Sequence, residues 1–302
     1  MTQNKLPNLE TVVETFHSFF PPSLAESWDA SGLVIGRGDF PVKKIGFAVD
    51  ATVAVAREAL AQEAQLLITH HPLLLKGASF LPATDYKGEV LHTLIENHCG
   101  LLGAHTNVDS APYGTNEAFM DALGIKDRQV LDGGERIEIE SEQKEVGMGR
   151  VGNLPEPLSL KELAEKIADF LPATATGLRI AGAPETKVQK IALCTGAGDS
   201  LFDAVRATDA DVYITADLRH HPASEAREQA LMTGQGKPCL IDCSHFASEW
   251  LWLDGAAQLL QNKLRQNGFE VETYVSTLNT DPWDFIVSSG ECAGSASTVV
   301  LK

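Results

Sequence analysis

Two adjacent histidines at the end of a short apolar run are the first residues in this chain whose types and spacing suggest chemistry. They stand in LLITHHP, from Leu66 to Pro72. Leu66 to Thr69 reads as a strand buried on both faces, and His70, His71 and Pro72 follow it directly. Imidazole is the commonest protein metal ligand. In open α/β sheets the ligand crevice lies outside the carboxyl ends of the strands, which is where this pair falls. A tandem histidine also suits a helix cap or a surface turn, so the pair needs support from elsewhere in the chain.

That support comes from polar residues at other predicted strand ends. The first half supplies Asp50, then His105, Thr106, Asn107 and Asp109; the second supplies Asp217, His220, His221, Asp242, His245 and Glu249. His245 and Glu249 are spaced i, i+4, so one helical turn puts both on a common face. Two or three histidines with carboxylates make the mixed nitrogen and oxygen set that suits zinc, iron, manganese, cobalt or nickel. Adjacent side chains diverge, so His70 and His71 suit two ions better than one, with a carboxylate such as Glu249 as the bridge. Paired ions about 3.5–4 Å apart activate a shared water for hydrolysis.

The elements that must position these groups follow from periodicity and punctuation. Residues 8 to 20 predict an amphipathic helix capped by Asn8 and stopped by Pro21-Pro22. Asp29 fixes the turn before Gly32 by bonding backbone amides. Strands are expected at 33–36, 43–50, 66–69 and 101–104, and helices at 54–64, 88–97 and 115–123, the last closed by Gly124. This alternation predicts an α/β fold with a mostly parallel sheet and helices outside. Residues 126 to 157 predict a two-stranded antiparallel element turning near Ser141 to Gln143, and Ser159 with Glu162 predicts a capping box opening a helix through Phe170. The first half then repeats. Ile45 to Val49 matches Ile191 to Thr195 and Leu66 to Thr69 matches Val212 to Thr215 at one common offset, and the second match also leads into a His-His-Pro. An internal duplication is therefore expected. Leu240 to Asp242 parallels Leu101 to Gly103, a helix runs from about Gly255 to Gln266, a strand covers GFEVETYV, and Asp281 to Val287 reads as a last edge strand. The expected units are 1–125 and 126–287, with the part after about residue 240 able to pack back on the first, and 288–302 as a loose tail.

Bulk properties narrow the class. The 302 residues carry a net charge of −17, which argues against broad attachment to nucleic acid or anionic membrane. Five irregularly spaced cysteines do not make a disulfide framework and fit a reducing cytoplasm. No secretory signal or membrane-spanning run is visible. Other candidates are weaker. Thr195 to Ser200, a glycine-bearing turn, lacks the P-loop lysine and dinucleotide spacing, and reads as a strand-to-helix turn capped by Asp199 or Ser200. Lys76 suits a substrate phosphate or solvent equally. Trp250 and Trp252 read as packing groups. No Ser-His-Asp or Cys-His set stands out.

WDASGL, ITHHPLLLKG, AHTNVDSAPYGTNEAF and DCSHFASEW, in that order, together resemble the Nif-three-like family, whose members are also named GTP cyclohydrolase 1 type 2 homologs, over roughly residues 8 to 287. The resemblance implies a two-domain α/β protein with a dinuclear metal centre, assembled from dimers into a homohexameric ring. Carried over residue by residue, it implies His70, His71, Asp109, His245 and Glu249 as metal ligands, with His105 supporting them from outside the ligand set. Some relatives hold a further domain between the halves, for which 126 to 187 is too short. Many have Gly before the acidic residue where this chain has Ala216 before Asp217, which leaves the role of Asp217 open, and His221 matches a family histidine of unknown role. The expectation is a cytoplasmic protein binding two divalent ions per chain (Zn, Fe, Mn, Co or Ni). It would act as a hydrolase through a metal-bound hydroxide on a small molecule such as a nucleotide or phosphoester, with Glu249 at the reacting centre. The alternative is a non-catalytic metal-binding scaffold or metal-handling adaptor.

Overall fold

Short apolar runs, each bounded by a cap or a glycine, set the order of elements. The computed structural model describes residues 5–233 and 235–287. The chain begins with α1 (Leu9–Phe19), where the Asn8 side chain accepts from the Thr11 amide. It continues through β1 (Gly32–Ile35), β2 (Lys44–Ala48), α2 (Val53–Ala61, capped by Thr52) and β3 (Leu66–Thr69). Next come α3 (Tyr86–Glu96, capped by Asp85), β4 (Gly100–Gly103), the single turn α4 (Thr106–Ser110) and α5 (Thr115–Leu123). Strands β5 (Arg128–Ile139) and β6 (Glu142–Ser159) are joined by Glu140 and Ser141. Both turn residues have φ > 0, as two-residue hairpins of the type I′ kind require. The remainder is α6 (Leu160–Phe170), β7 (Arg179–Ala181), β8 (Lys187–Ala197), α7 (Phe202–Ala207), β9 (Val212–Ala216), α8 (His220–Thr233), β10 (Cys239–Cys243), α9 (His245–Trp250), α10 (Trp252–Gln266) and β11 (Glu272–Val275).

The strands form two sheets, of order β1-β4-β3-β2-β11 and β5-β6-β8-β9-β10-β7. In the first, β11, β2, β3 and β4 are parallel and β1 is antiparallel to β4. In the second, β8, β9 and β10 are parallel, with β6 and β7 antiparallel at their flanks. Each sheet thus places an antiparallel strand beside the third of three parallel strands that follow it in sequence. An internal duplication would leave the same arrangement. The chain groups into two compact units: Met1–Thr115 with Glu135–Val146 and Trp250–Thr280, and Asn116–Gly134 with Gly147–Glu249 and Asp281–Lys302.

Central strands are apolar on both faces because helices cover them. In the first unit Leu67 and Leu101 pack with Val55, Ala56 and Ala59 of α2 and Leu94 of α3. In the second, Ala192 and Tyr213 pack with Phe202 and Val205 of α7 and Ala226 of α8. A charged cluster ties α5 to the hairpin: Glu117 pairs with both Arg128 and the fully buried Arg150. No helix among the described residues is long and apolar enough to cross a membrane.

Several expectations shift. β7 is an addition to the expected strands, because a three-residue antiparallel edge leaves little pattern to detect. Helix α10 starts at Trp252, before Gly255, and β11 is only the last four residues of GFEVETYV. Asp281 to Val287 has no strand assignment; its Trp283, Phe285, Ile286 and Val287 are exposed, and it lacks a ladder partner among the described residues. The proposed tail, 288–302, lies outside the described residues. The capping box is present in full, with Ser159 accepting from the Glu162 amide and the Glu162 carboxylate accepting from Ser159 N–H. Ser159→Ala should therefore lower stability by about 1 kcal/mol. Urea denaturation should show a lower midpoint with an unchanged slope.

Candidate metal centre

Strand register brings the first group of residues together. Ala48, Thr69 and Gly103 are aligned across β2, β3 and β4. One residue further on, Val49, His70 and Ala104 are therefore neighbours; two further on, so are Asp50, His71 and His105. Backbone bonds extend the ladder past the strand ends, His70 N to Ala48 O (3.1 Å), His71 N to Val49 O (2.8 Å) and Ala104 N to Thr69 O (2.8 Å).

Each imidazole in this group is tied through Nδ1. His70 Nδ1 donates to Ala104 O (2.9 Å), His71 Nδ1 to Asp50 Oδ1 (2.7 Å) and His105 Nδ1 to Asp29 Oδ1 (2.8 Å). A carbonyl or carboxylate oxygen only accepts, so the ring proton sits on Nδ1 and the lone pair on Nε2 is the one a metal would take. One ligand nitrogen from each of the three rings lies within 4.8 Å of the others. Asp109, buried on α4, accepts from Thr115 Oγ1 (2.6 Å) and lies 3.6 Å from His70 Nε2. Trp252 is only 1% exposed, and its ring lies 5.9 Å from that of His70.

The carboxylates behind the rings are themselves held. Asp50 also accepts from Thr280 Oγ1. Asp29 accepts from Ala30 N, Ser31 Oγ, Thr106 N and Thr106 Oγ1 as well as His105. Burial works to raise its pKa, but hydrogen bonds from His105, Thr106 and Ser31 hold it well below the usual carboxylate range. Asp29 does fix its turn, as the sequence indicates; its bond to His105 is the further role that spacing did not reveal.

The second unit builds its donors by the same logic. Ala197, Ala216 and Cys243 are aligned across β8, β9 and β10. Asp217 follows one of these ends, at a positive φ of 54°, and His245 opens α9 two residues beyond another. His245 Nδ1 donates to Asp217 Oδ2 (2.8 Å), and its Nε2 lies 3.0 Å from Glu249 Oε1, one helical turn on. Burial opposes charge on His245, but the Glu249 and Asp217 carboxylates push its pKa up to about 11. A cation bound at Nε2 would take the place of that proton. The His245 hydrogen bond in turn lowers Asp217.

Gly196 completes this half. It has φ +66°, and a Cβ there would clash with Glu249 Oε1 and stand 3.3 Å from His245 Nε2. Its amide donates to Ser248 Oγ (3.0 Å), which fixes β8 against α9. The Thr195–Ser200 stretch thus leads from strand to helix as expected, but Thr195 to Ala197 still belong to β8, and neither Asp199 nor Ser200 makes a side-chain cap; Asp199 instead pairs with Arg219.

Other strand-end candidates fall away. Asp242 is buried, pairs with Arg179 and accepts from Leu218 N, so it anchors the loop after β9. Burial raises its pKa. His220 and His221 are exposed at the start of α8, where they begin a helix and do not end a strand.

Four histidines with oxygen acceptors on Nδ1, two of them (His70 and His245) with a carboxylate beside Nε2, have the donor chemistry and supporting bonds of transition-metal ligands, so these residues fit a divalent ion. The family model described as Duf34/NIF3 (NGG1p interacting factor 3) matches residues 7–282. The chain belongs to this family. A Streptomyces coelicolor member named GTP cyclohydrolase 1 type 2 homolog is 42% identical over 285 residues, covering 94% of this chain and 96% of its own. A Mycobacterium tuberculosis protein of the same name is 31% identical over 382 residues, covering 93% and 98%. That alignment exceeds the 302 residues of this chain, so the relative carries sequence that this one lacks. Among solved structures, a Bacillus cereus protein related to NIF3 shares the fold with a TM-score of 0.82 at 24% identity, covering 93% of this chain and all of that one. A Staphylococcus aureus hypothetical protein gives 0.81 at 27% with the same coverage.

The structure places His105 with His70 and His71 and so makes it a candidate ligand, not only a support. Asp50, Asp217 and Gly196 were legible as polar strand ends or as a turn, but not as the groups that aim or admit a ligand. Cys99, Cys194, Cys239 and Cys243 are buried and form no disulfide among the described residues, and burial pushes the Cys99 thiol up to about 12 and raises that of Cys239. Lys76 is exposed in the loop after the histidine pair.

Loss of a group that orients a metal-binding histidine typically costs 10–100-fold in affinity. Asp217→Ala should weaken metal binding by about that factor, read by competition with a chromophoric chelator. Affinity equal to the wild type would remove Asp217 from the centre. Gly196→Ala should weaken binding as well, because its Cβ displaces Glu249.

Proposed function

We propose that this family member binds two divalent transition ions per chain and uses them in hydrolysis of a nucleotide or phosphoester. The observation that carries the proposal is the common Nδ1 tie of His70, His71, His105 and His245, which orients each ring so that Nε2 is the nitrogen left for a metal, in His245 once its Nε2 proton is displaced. In this proposal His70, His71, Asp109, His245 and Glu249 would hold the ions, Glu249 as a shared carboxylate and His105 as a further donor. When bound, such ions acidify a water and polarise a phosphoryl or ring-carbon electrophile.

The chain's own residues supply the rest. Asp50 and Asp217 accept from Nδ1 of His71 and His245 and fix their ring planes, leaving Nε2 of each as the nitrogen that faces the ion. Thr115 steadies the Asp109 carboxylate. Asp29 holds His105 while Thr106 locks the loop that carries it. The family name shared by relatives supports a GTP cyclohydrolase-type ring opening as one candidate reaction. The same resemblance supports a ring of six chains, and the cysteine usage supports a cytoplasmic setting.

Elemental analysis after reloading chelator-treated protein should find up to two ions per chain, and less than about half an ion would overturn the proposal, since multi-ligand nitrogen and oxygen sites bind such ions tightly. A screen of nucleotides, phosphoesters and amidohydrolase probes with Mn, Zn, Fe, Co and Ni should reveal turnover that chelation abolishes. Glu249→Gln should reduce that turnover by orders of magnitude with little change in folding stability, and Asp109→Asn should act similarly. Well-loaded protein without turnover on any of these substrates would favour a metal-binding scaffold. Light scattering after size exclusion should report about six chains, and a persistent monomer at micromolar concentration would contradict the ring.

A further inference from the structure

We propose that Trp28 is a positioning residue that stacks on a planar heteroaromatic ring of the substrate, of the kind a nucleobase presents. The proposal rests on the metal centre being a substrate site, and it names the class of substrate.

Trp28 is 59% exposed, whereas Trp252, in the same unit, is almost wholly buried. Burying an indole contributes strongly to stability, so a tryptophan left in solvent forgoes that gain. Its position is nevertheless fixed. The ring meets the His105 ring edge-to-face, with centroids 5.9 Å apart and planes at 80°. The backbone on both sides is pinned to the segment that follows His105. Glu26 N donates to Thr106 Oγ1 (2.9 Å), and Asp29 accepts from both Thr106 N and Thr106 Oγ1. Asp29 N also donates to Glu26 O (2.9 Å), which closes the turn that carries Trp28.

The result is an exposed aromatic surface held rigidly beside a ring that is itself within ligand distance of His70 and His71. A surface of this kind recognises a flat π-system, and it does so with little sequence selectivity because every base has a π-face. Rigid placement matters because ordering a mobile side chain on binding would cost part of the gain. The substrate thus places its electrophile at the donor cluster and its aromatic ring against Trp28. A compound with the electrophile and no ring is held less well.

Isothermal titration of zinc-loaded, full-length protein tests this without turnover. The probes are GMP, AMP, ribose 5-phosphate and phosphocholine. Both nucleotides should bind roughly ten- to a hundred-fold more tightly than ribose 5-phosphate, the range that base stacking supplies. Trp28→Ala should abolish that preference while leaving zinc content, melting temperature and ribose 5-phosphate affinity unchanged, and Trp28→Phe should retain most of it. Nucleotide affinity unchanged in Trp28→Ala would overturn the proposal. So would equal binding of nucleotides and ribose 5-phosphate, or a Trp28 dependence confined to phosphocholine, which would mark a cation site. Protein that loads zinc and fails these tests overturns this inference alone. Protein that loads no zinc overturns the metal centre and this inference together.

Discussion

The hydrogen bond from imidazole Nδ1 to an oxygen acceptor is the constraint on which the rest of the site depends. A neutral imidazole has one donor and one acceptor, and burial makes either costly to leave unmet. Tying Nδ1 to Ala104 O, Asp50, Asp29 or Asp217 meets the donor and fixes the ring plane in one step. It also decides which nitrogen keeps its lone pair. The acceptors must then be at the right height beside each ring, and parallel register provides that height. In the first unit Asp50, His71 and His105 are each two residues beyond an aligned row of strand ends, so a shift of one residue in any strand would separate donor from acceptor.

The same solution is reached in both units from different residues. The first unit draws its orienting carboxylates from the end of β2 and from a turn before β1. The second uses Asp217 at the end of β9 and supports the arrangement with a missing side chain at Gly196. That glycine is as much a part of the site as a ligand is, because the space where its Cβ would lie is occupied by the Glu249 carboxylate. The buried apolar strands set the rows; the polar residues just past them form the candidate site.

Local signals in the sequence were strong where one element carries its own evidence. Leu66–Thr69, Thr115–Leu123 and the Ser159 capping box could be read from apolar runs, glycine and proline punctuation, and a reciprocal side-chain pattern. The ligand candidates were legible for the same reason: strand ends in an α/β chain are where polar residues need an explanation. What was not legible depends on contacts between distant segments. Asp29 and His105 are 76 residues apart, and nothing local links them. Gly196 looks like an ordinary turn glycine until Glu249 is placed beside it. The second His-His-Pro misled because Asp217 turns the chain at positive φ, after which the histidines fall on the opening turn of α8. Asp281 to Val287 has the composition of a strand, but composition does not provide a neighbouring strand to pair with.

The four buried cysteines bear on which element the protein would carry. A thiol binds soft metals only as the thiolate, and burial keeps the Cys99 and Cys239 thiols protonated well beyond neutral pH. Among the described residues, the groups that could hold an ion are built from imidazole and carboxylate. Such a set follows the general affinity series of divalent ions and discriminates only weakly between neighbours in it. Occupancy would then record the metal economy of the compartment in which the chain folds, so that the same polypeptide made in zinc-rich and iron-rich cells would emerge as two different metalloproteins.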